Sequence, residues 1–126
     1  MGKLIWVVVD PGICGFECSI EARRVGRWAA GLQVQSQCEH IQRFSDLIPV
    51  VTVRGLFAPM TRNPVLLAAE QAHCHASCPV PVAVLKAAEV ALEMALPRDV
   101  RISFRPPESV GVAQGQDPPG KDRALK

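Results

Sequence analysis

The chain opens on a continuous apolar run, then alternates apolar and polar residues, and then changes to a helical period. Residues 3–9 (KLIWVVV) are a dense β-favouring run that reads as a first strand, ended by Asp10-Pro11-Gly12. From Glu17 to Arg23 the alternation is clean. Cys18, Ile20 and Ala22 share one face, and Glu17, Ser19, Glu21 and Arg23 share the other, as in a half-buried strand. Arg24-Val25-Gly26-Arg27 is a tight turn whose glycine can take positive φ, and Trp28, Ala30, Leu32 and Val34 resume the alternation. The two strands about Gly26 therefore form an antiparallel hairpin.

At Ser36 the period becomes helical. Ser36-Gln37-Cys38-Glu39 fits a capping box, with Ile41, Phe44 and Ile48 following at helical spacing until Pro49. Residues 50–62 show no period beyond one turn near Leu56 and Phe57. Asn63-Pro64 is a second helix start, cap followed by first-turn proline, for a helix running to about Ala72. A polar link, residues 73–78, precedes the longest helix, from Pro79 to about Ala95. Lys86, Glu89 and Glu93 form its only polar stripe, so it is buried on most sides. Val100, Ile102 and Phe104 alternate with Arg101, Ser103 and Arg105 as a last strand. Residues 106–126, with four prolines, three glycines and no aromatic residue, read as a disordered tail. The expected architecture is a single α+β domain over residues 1–105. Its order is β-β-β-α-α-α-β, with helices on one face of a mainly antiparallel sheet.

Composition adds exclusions. A net charge of +2, with 14 basic against 12 acidic residues, argues for neither a nucleic-acid nor a membrane partner. Arg23, Arg24 and Arg27 cluster only at the hairpin turn. Phosphate-loop, dinucleotide-binding and nucleophile-elbow motifs are missing. Five cysteines cannot all pair within one chain. The six-residue apolar run from Leu4 to Val9 is too short for a secretory signal. These features lead to the expectation of a reducing, cytoplasmic setting, where thiols serve burial, metal binding or reactivity.

Three cysteines fall at element ends. Cys14 lies in a glycine-flanked loop before a strand, Cys38 in the first turn of a helix and Cys78 just before Pro79 at another helix start. Free N–H groups and the positive dipole end at helix N-termini favour thiolate. The trio is either one site or three separate buried thiols. Cys18, on the apolar strand face, reads as a buried small hydrophobe. If the stretch is extended it lies roughly 13 Å from Cys14, too far to share one ion. Cys74 is a fourth ligand, a resolving thiol or simply a helix end. His73 and His75 flank it, though His-x-x-Cys is not a zinc-finger spacing. Asp10 reads as a turn former and Glu39 as a capping residue.

The segments Asp10-Pro11-Gly12-Ile13-Cys14-Gly15-Phe16, Ser36-Gln37-Cys38-Glu39 and residues 75–81, followed by residues 85–90, look like a family of small uncharacterised prokaryotic proteins over roughly residues 5–104. The layout also resembles the iron–sulfur cluster scaffold proteins of the IscU/NifU type. Those place three cysteine ligands in a Cys-Gly loop before a strand, near a helix start and at the start of a late long helix. Cys14-Gly15, Cys38 and Cys78 match these places, and His75 or His73 matches a histidine beside the third ligand.

That resemblance implies a scaffold-like fold and a metal- or iron–sulfur-cluster-binding protein. Cys14, Cys38 and Cys78 would supply thiolates, Cys74 or His75 would complete the set, and zinc or a cluster would be the bound group. Such a protein binds or transfers without turning over a small substrate, and its partner would be a protein in metal or sulfur transfer. A sulfur-relay or thiol-redox protein with a low-pKa Cys78, and an interaction domain whose cysteines merely pack, are the competing readings.

Overall fold

The computed structural model describes residues 3–108. Its element order is β1 (Ile5–Val9), β2 (Cys18–Arg24), β3 (Ala29–Ser36), α1 (Glu39–Leu47), β4 (Val50–Thr52), α2 (Val53–Leu56), a 3₁₀ turn (Met60–Arg62), α3 (Pro64–Gln71) and α4 (Val80–Ala91). The strands form one antiparallel sheet in the order β1-β2-β3-β4. The fold is thus α+β, built on the two strands and the hairpin read from the alternation. Gly26 takes φ 82° in the turn.

One sheet face carries Cys18, Ile20, Ala22, Ala30, Leu32, Val34 and Val51, all buried. Helix α1 packs on β3, while α4 lies across β1 and β2. Ile41, Phe44 and Ile48 reach the core from α1 and its end, and Val80, Val84, Ala87, Ala88 and Ala91 from α4. The small side chains of α4 let its axis approach the sheet closely, so a nearly all-aliphatic core closes.

Four readings need correction. Residues 50–52 form the edge strand β4, with Val51 paired to Ala30. A three-residue strand is too short to show alternation. The Ser36–Glu39 capping box does not form. Strand β3 persists to Ser36, so the helix starts later and Cys38 becomes its N-cap. The Ser36 hydroxyl instead accepts the Cys38 N–H, and the Gln42 side chain accepts the Ser36 N–H.

Helix α4 ends at Ala91, before the expected Ala95. Glu93 turns left-handed (φ 61°), and its N–H and that of Met94 close back on the carbonyls of Val90 and Glu89 as a Schellman motif. Arg24 secures this end by donating to the Leu92 carbonyl and to that of Arg27. Residues 100–104 pair with no strand, and Val100, Ile102 and Phe104 are exposed. The observed order is therefore β-β-β-α-β-α-α-α, the last strand being absent. Most of the expected disordered tail, residues 109–126, lies outside the described residues.

Candidate functional site

The register places the start of β2 and the ends of β1 and β3 together, with Cys18 between Val9 and Ser36. The Cys14 loop, the start of α1, the end of α3 and the start of α4 gather around this end of the sheet. Cys14 is exposed, between Gly12 (φ 96°) and Gly15 (φ 76°), and Asp10 supports the loop by accepting the Gly12 N–H at 3.1 Å. Asp10 is thus the turn former expected.

Cys38 is half-buried, and its thiol makes no cap hydrogen bond, which leaves the sulfur free. Helix α3 ends in a second Schellman motif. His73 occupies the left-handed position (φ 62°), its N–H bonds to the Glu70 carbonyl, and the Cys74 N–H bonds to that of Ala69 at 2.9 Å. This backbone lock turns Cys74 in beside α1, where its thiol lies 3.9 Å from the His40 carbonyl oxygen. Cys78 precedes the N-cap residue Pro79, its N–H bonds to the His75 carbonyl and its sulfur accepts the Val80 N–H.

The thiols act on one another electrostatically. Burial first, and then the thiolates of Cys78 and Cys38, push Cys18 up to about 11. Burial and the same two thiolates push Cys74 up to about 11, against a lowering by Arg43. Cys78 is also raised, by burial and by the thiolates of Cys14 and Cys38, with the Val80 N–H opposing. Cys38 and Cys78 are thus the centre of a set that includes Cys14 and Cys74. Among the described residues, no three Cys, His, Asp or Glu side chains stand as a ready-made metal site.

Two residues were missed as members. Cys18 is 2% exposed, in keeping with the packing role read from its strand face, yet that face points it at Cys38 and Cys78. The alternation held this signal once Cys18 was known to open β2 at the Cys38 end. His40 carried no sequence signal, because its place depends on the meeting of α1 and α3. Its Nδ1 lies 3.1 Å from the Ala72 carbonyl oxygen. A carbonyl only accepts, so Nδ1 carries the proton in this contact. Arg43 donates to the same oxygen at 3.3 Å. The exposed His75 ring lies 6.4 Å from that of His40, centre to centre.

The molecule is thus a small α+β thiol protein with its cysteines and two imidazoles at one end of the sheet. It belongs to a family of unknown function, DUF6951, which it matches over residues 5–104. No curated protein and no solved structure matches the chain.

Proposed function

We propose that the chain binds a thiophilic metal, zinc or an iron–sulfur cluster, through Cys14, Cys38 and Cys78, with Cys74 or His75 completing the set. The observation that carries this reading is the gathering of Cys14, Cys38, Cys74 and Cys78 at one end of the sheet, where burial raises Cys74 and Cys78. Burial and neighbouring thiolates oppose ionisation of Cys74 and Cys78, so these two hold their protons when no cation is bound. A cation removes that opposition and binds with release of protons. The donor set fits such a group in kind, being soft sulfur with imidazole. Rotation of the side chains, and of Cys14 on its glycine-flanked loop, would close it. The bound group would supply either a structural tie or a transferable cluster.

The scaffold-like reading draws support from the layout of strands, Cys-Gly loop and late helix. Phe16 stands where those scaffolds carry an aspartate, so a scaffold role in transfer to a protein partner is the narrower proposal. The relay reading is weakened because burial outweighs the Val80 N–H and raises Cys78 rather than lowering it.

Native mass spectrometry of anaerobically purified protein tests the proposal. Stoichiometric zinc or iron is expected, retained in Cys18→Ala and lost in Cys38→Ala and Cys78→Ala. Metal at about 100 times its Kd should add about 2.7 kcal/mol of stability. Metal-free protein whose melting ignores added zinc or cluster reconstitution would contradict it.

A further inference from the structure

We propose that residues 100–104 form an exchanged strand that adds to the open edge of β1 in a second copy of this chain, giving a two-fold dimer. The segment carries the alternation of a half-buried strand, yet Val100, Ile102 and Phe104 are 61%, 82% and 99% exposed. Among the described residues, 99–105 make no hydrogen bond to the rest of the protein, and β1 makes none on the side away from β2. Each therefore has an unmet row of backbone donors and acceptors, the condition under which strands add to sheet edges. Both are five residues long. Family membership runs from Ile5, the first residue of β1, to Phe104, so both lie within the family domain.

The side chains are complementary. Ile5, Val7 and Val9 pack against the core but stay only partly buried, because no strand flanks them. Val100, Ile102 and Phe104 would extend that inner row. Arg101 and Arg105 would then lie on the outer face beside Trp6, which is 56% exposed and pairs with Glu21 on β2. A guanidinium there meets both an indole face and a carboxylate.

Direction favours a second copy over the chain's own β1. The C-cap of α4, Leu92, is held to Arg24 at the far end of β2, which is also where β1 begins. A direct return from there runs parallel to β1, whereas every other pairing in the sheet is antiparallel. A two-fold-related copy can lay the segment antiparallel, and the exchange is reciprocal. The inference is independent of the thiol site.

Sedimentation velocity of the full chain over a range of concentrations, with amide hydrogen exchange, tests it. A monomer–dimer equilibrium is expected, with residues 100–104 and β1 protected in the dimer. Ile102→Asp should leave the melting temperature of the monomer unchanged, because Ile102 is exposed, and weaken dimerisation more than about tenfold by placing a charge on the buried row. A monomer at every concentration, whether or not the segment is protected, would overturn the proposal. So would a dimer whose affinity ignores Ile102→Asp.

Discussion

Among the described residues, Asn63 is the one buried polar residue of the core, 3% exposed, and it satisfies every group it buries. Its side-chain oxygen accepts the Val65 N–H at 3.0 Å. Its amide shares its two hydrogens among the carbonyls of Gly55, Leu56 and Ala58. One residue thus caps α3 and fastens the α2 turn. Asn63→Ala should cost about 2–4 kcal/mol in urea unfolding, more than a lone cap is worth, because the Leu56 carbonyl is left buried and unpaired. Asn63→Asp keeps the cap oxygen but sets a carboxylate against the three carbonyls, so it should cost at least as much at neutral pH. Full stability in Asn63→Asp would show that only the cap matters. The sequence exposed half of this role, since Asn63-Pro64 announces a cap, but the bonds its amide donates depend on a turn eight residues upstream.

Cys18 sets an alkaline limit on the metal-free, reduced protein. Its thiol titrates near 11 when folded and near an ordinary 9 when unfolded. Below about pH 9 both states hold the proton and this stabilisation is fully present. As pH rises through the window up to the folded value, the unfolded chain gives up its proton first and stability falls. The loss for Cys18 is on the order of 2 kcal/mol, with Cys74 acting in the same direction. Urea midpoints should drop across this window in the wild type and drop less in Cys18→Ala. An equal drop in both would remove Cys18 as the cause.

At the scale of elements, two helix ends depart from the usual glycine. His73 and Glu93 hold left-handed positions that favour glycine. Glu93 is exposed, so Glu93→Gly should raise stability by up to about 1 kcal/mol, read from the thermal or urea midpoint. A loss would mean that the glutamate side chain has a role the geometry does not show. Gly55 behaves in the opposite way. A Cβ there would sit 2.9 Å from Pro64 Cγ and 3.3 Å from Thr52 Oγ1, so Gly55→Ala should destabilise by about 1–3 kcal/mol by forcing α2 from α3.

The strands with long alternation were legible, because each presents one face to a common core. The end of α4 was not. Apolar residues continue to Leu96, and the backbone reverses only because the Schellman closure and Arg24 hold Leu92. Residues 100–104 carry a true strand pattern, but a pattern states what a segment can bury and not where its partner lies.

At the scale of the whole molecule, the antiparallel order of β1, β2 and β3 decides which loops meet. It places the turn after β1 and the exit from β3 at one end, so Cys14 and Cys38 fall at the same end of the sheet although 24 positions apart. Helix α4 then starts at that end, bringing in Cys78, and the left-handed His73 turns Cys74 inward. The placement of cysteines at element ends was readable from the sequence. Their convergence was not, because it depends on tertiary crossings that leave no local period, and the same crossings hid Cys18 and His40.

In the proposed function Cys14, Cys38 and Cys78 hold one bound group. The most direct measurement is X-ray absorption at the metal edge of anaerobically purified protein. A sulfur-dominated shell is expected, at about 2.3 Å for zinc, that loses sulfur in Cys38→Ala and in Cys78→Ala and is unchanged in Cys18→Ala. Metal–metal scattering in the same spectrum would mark a cluster rather than a single ion. A shell of oxygen and nitrogen alone, indifferent to all three substitutions, would contradict it.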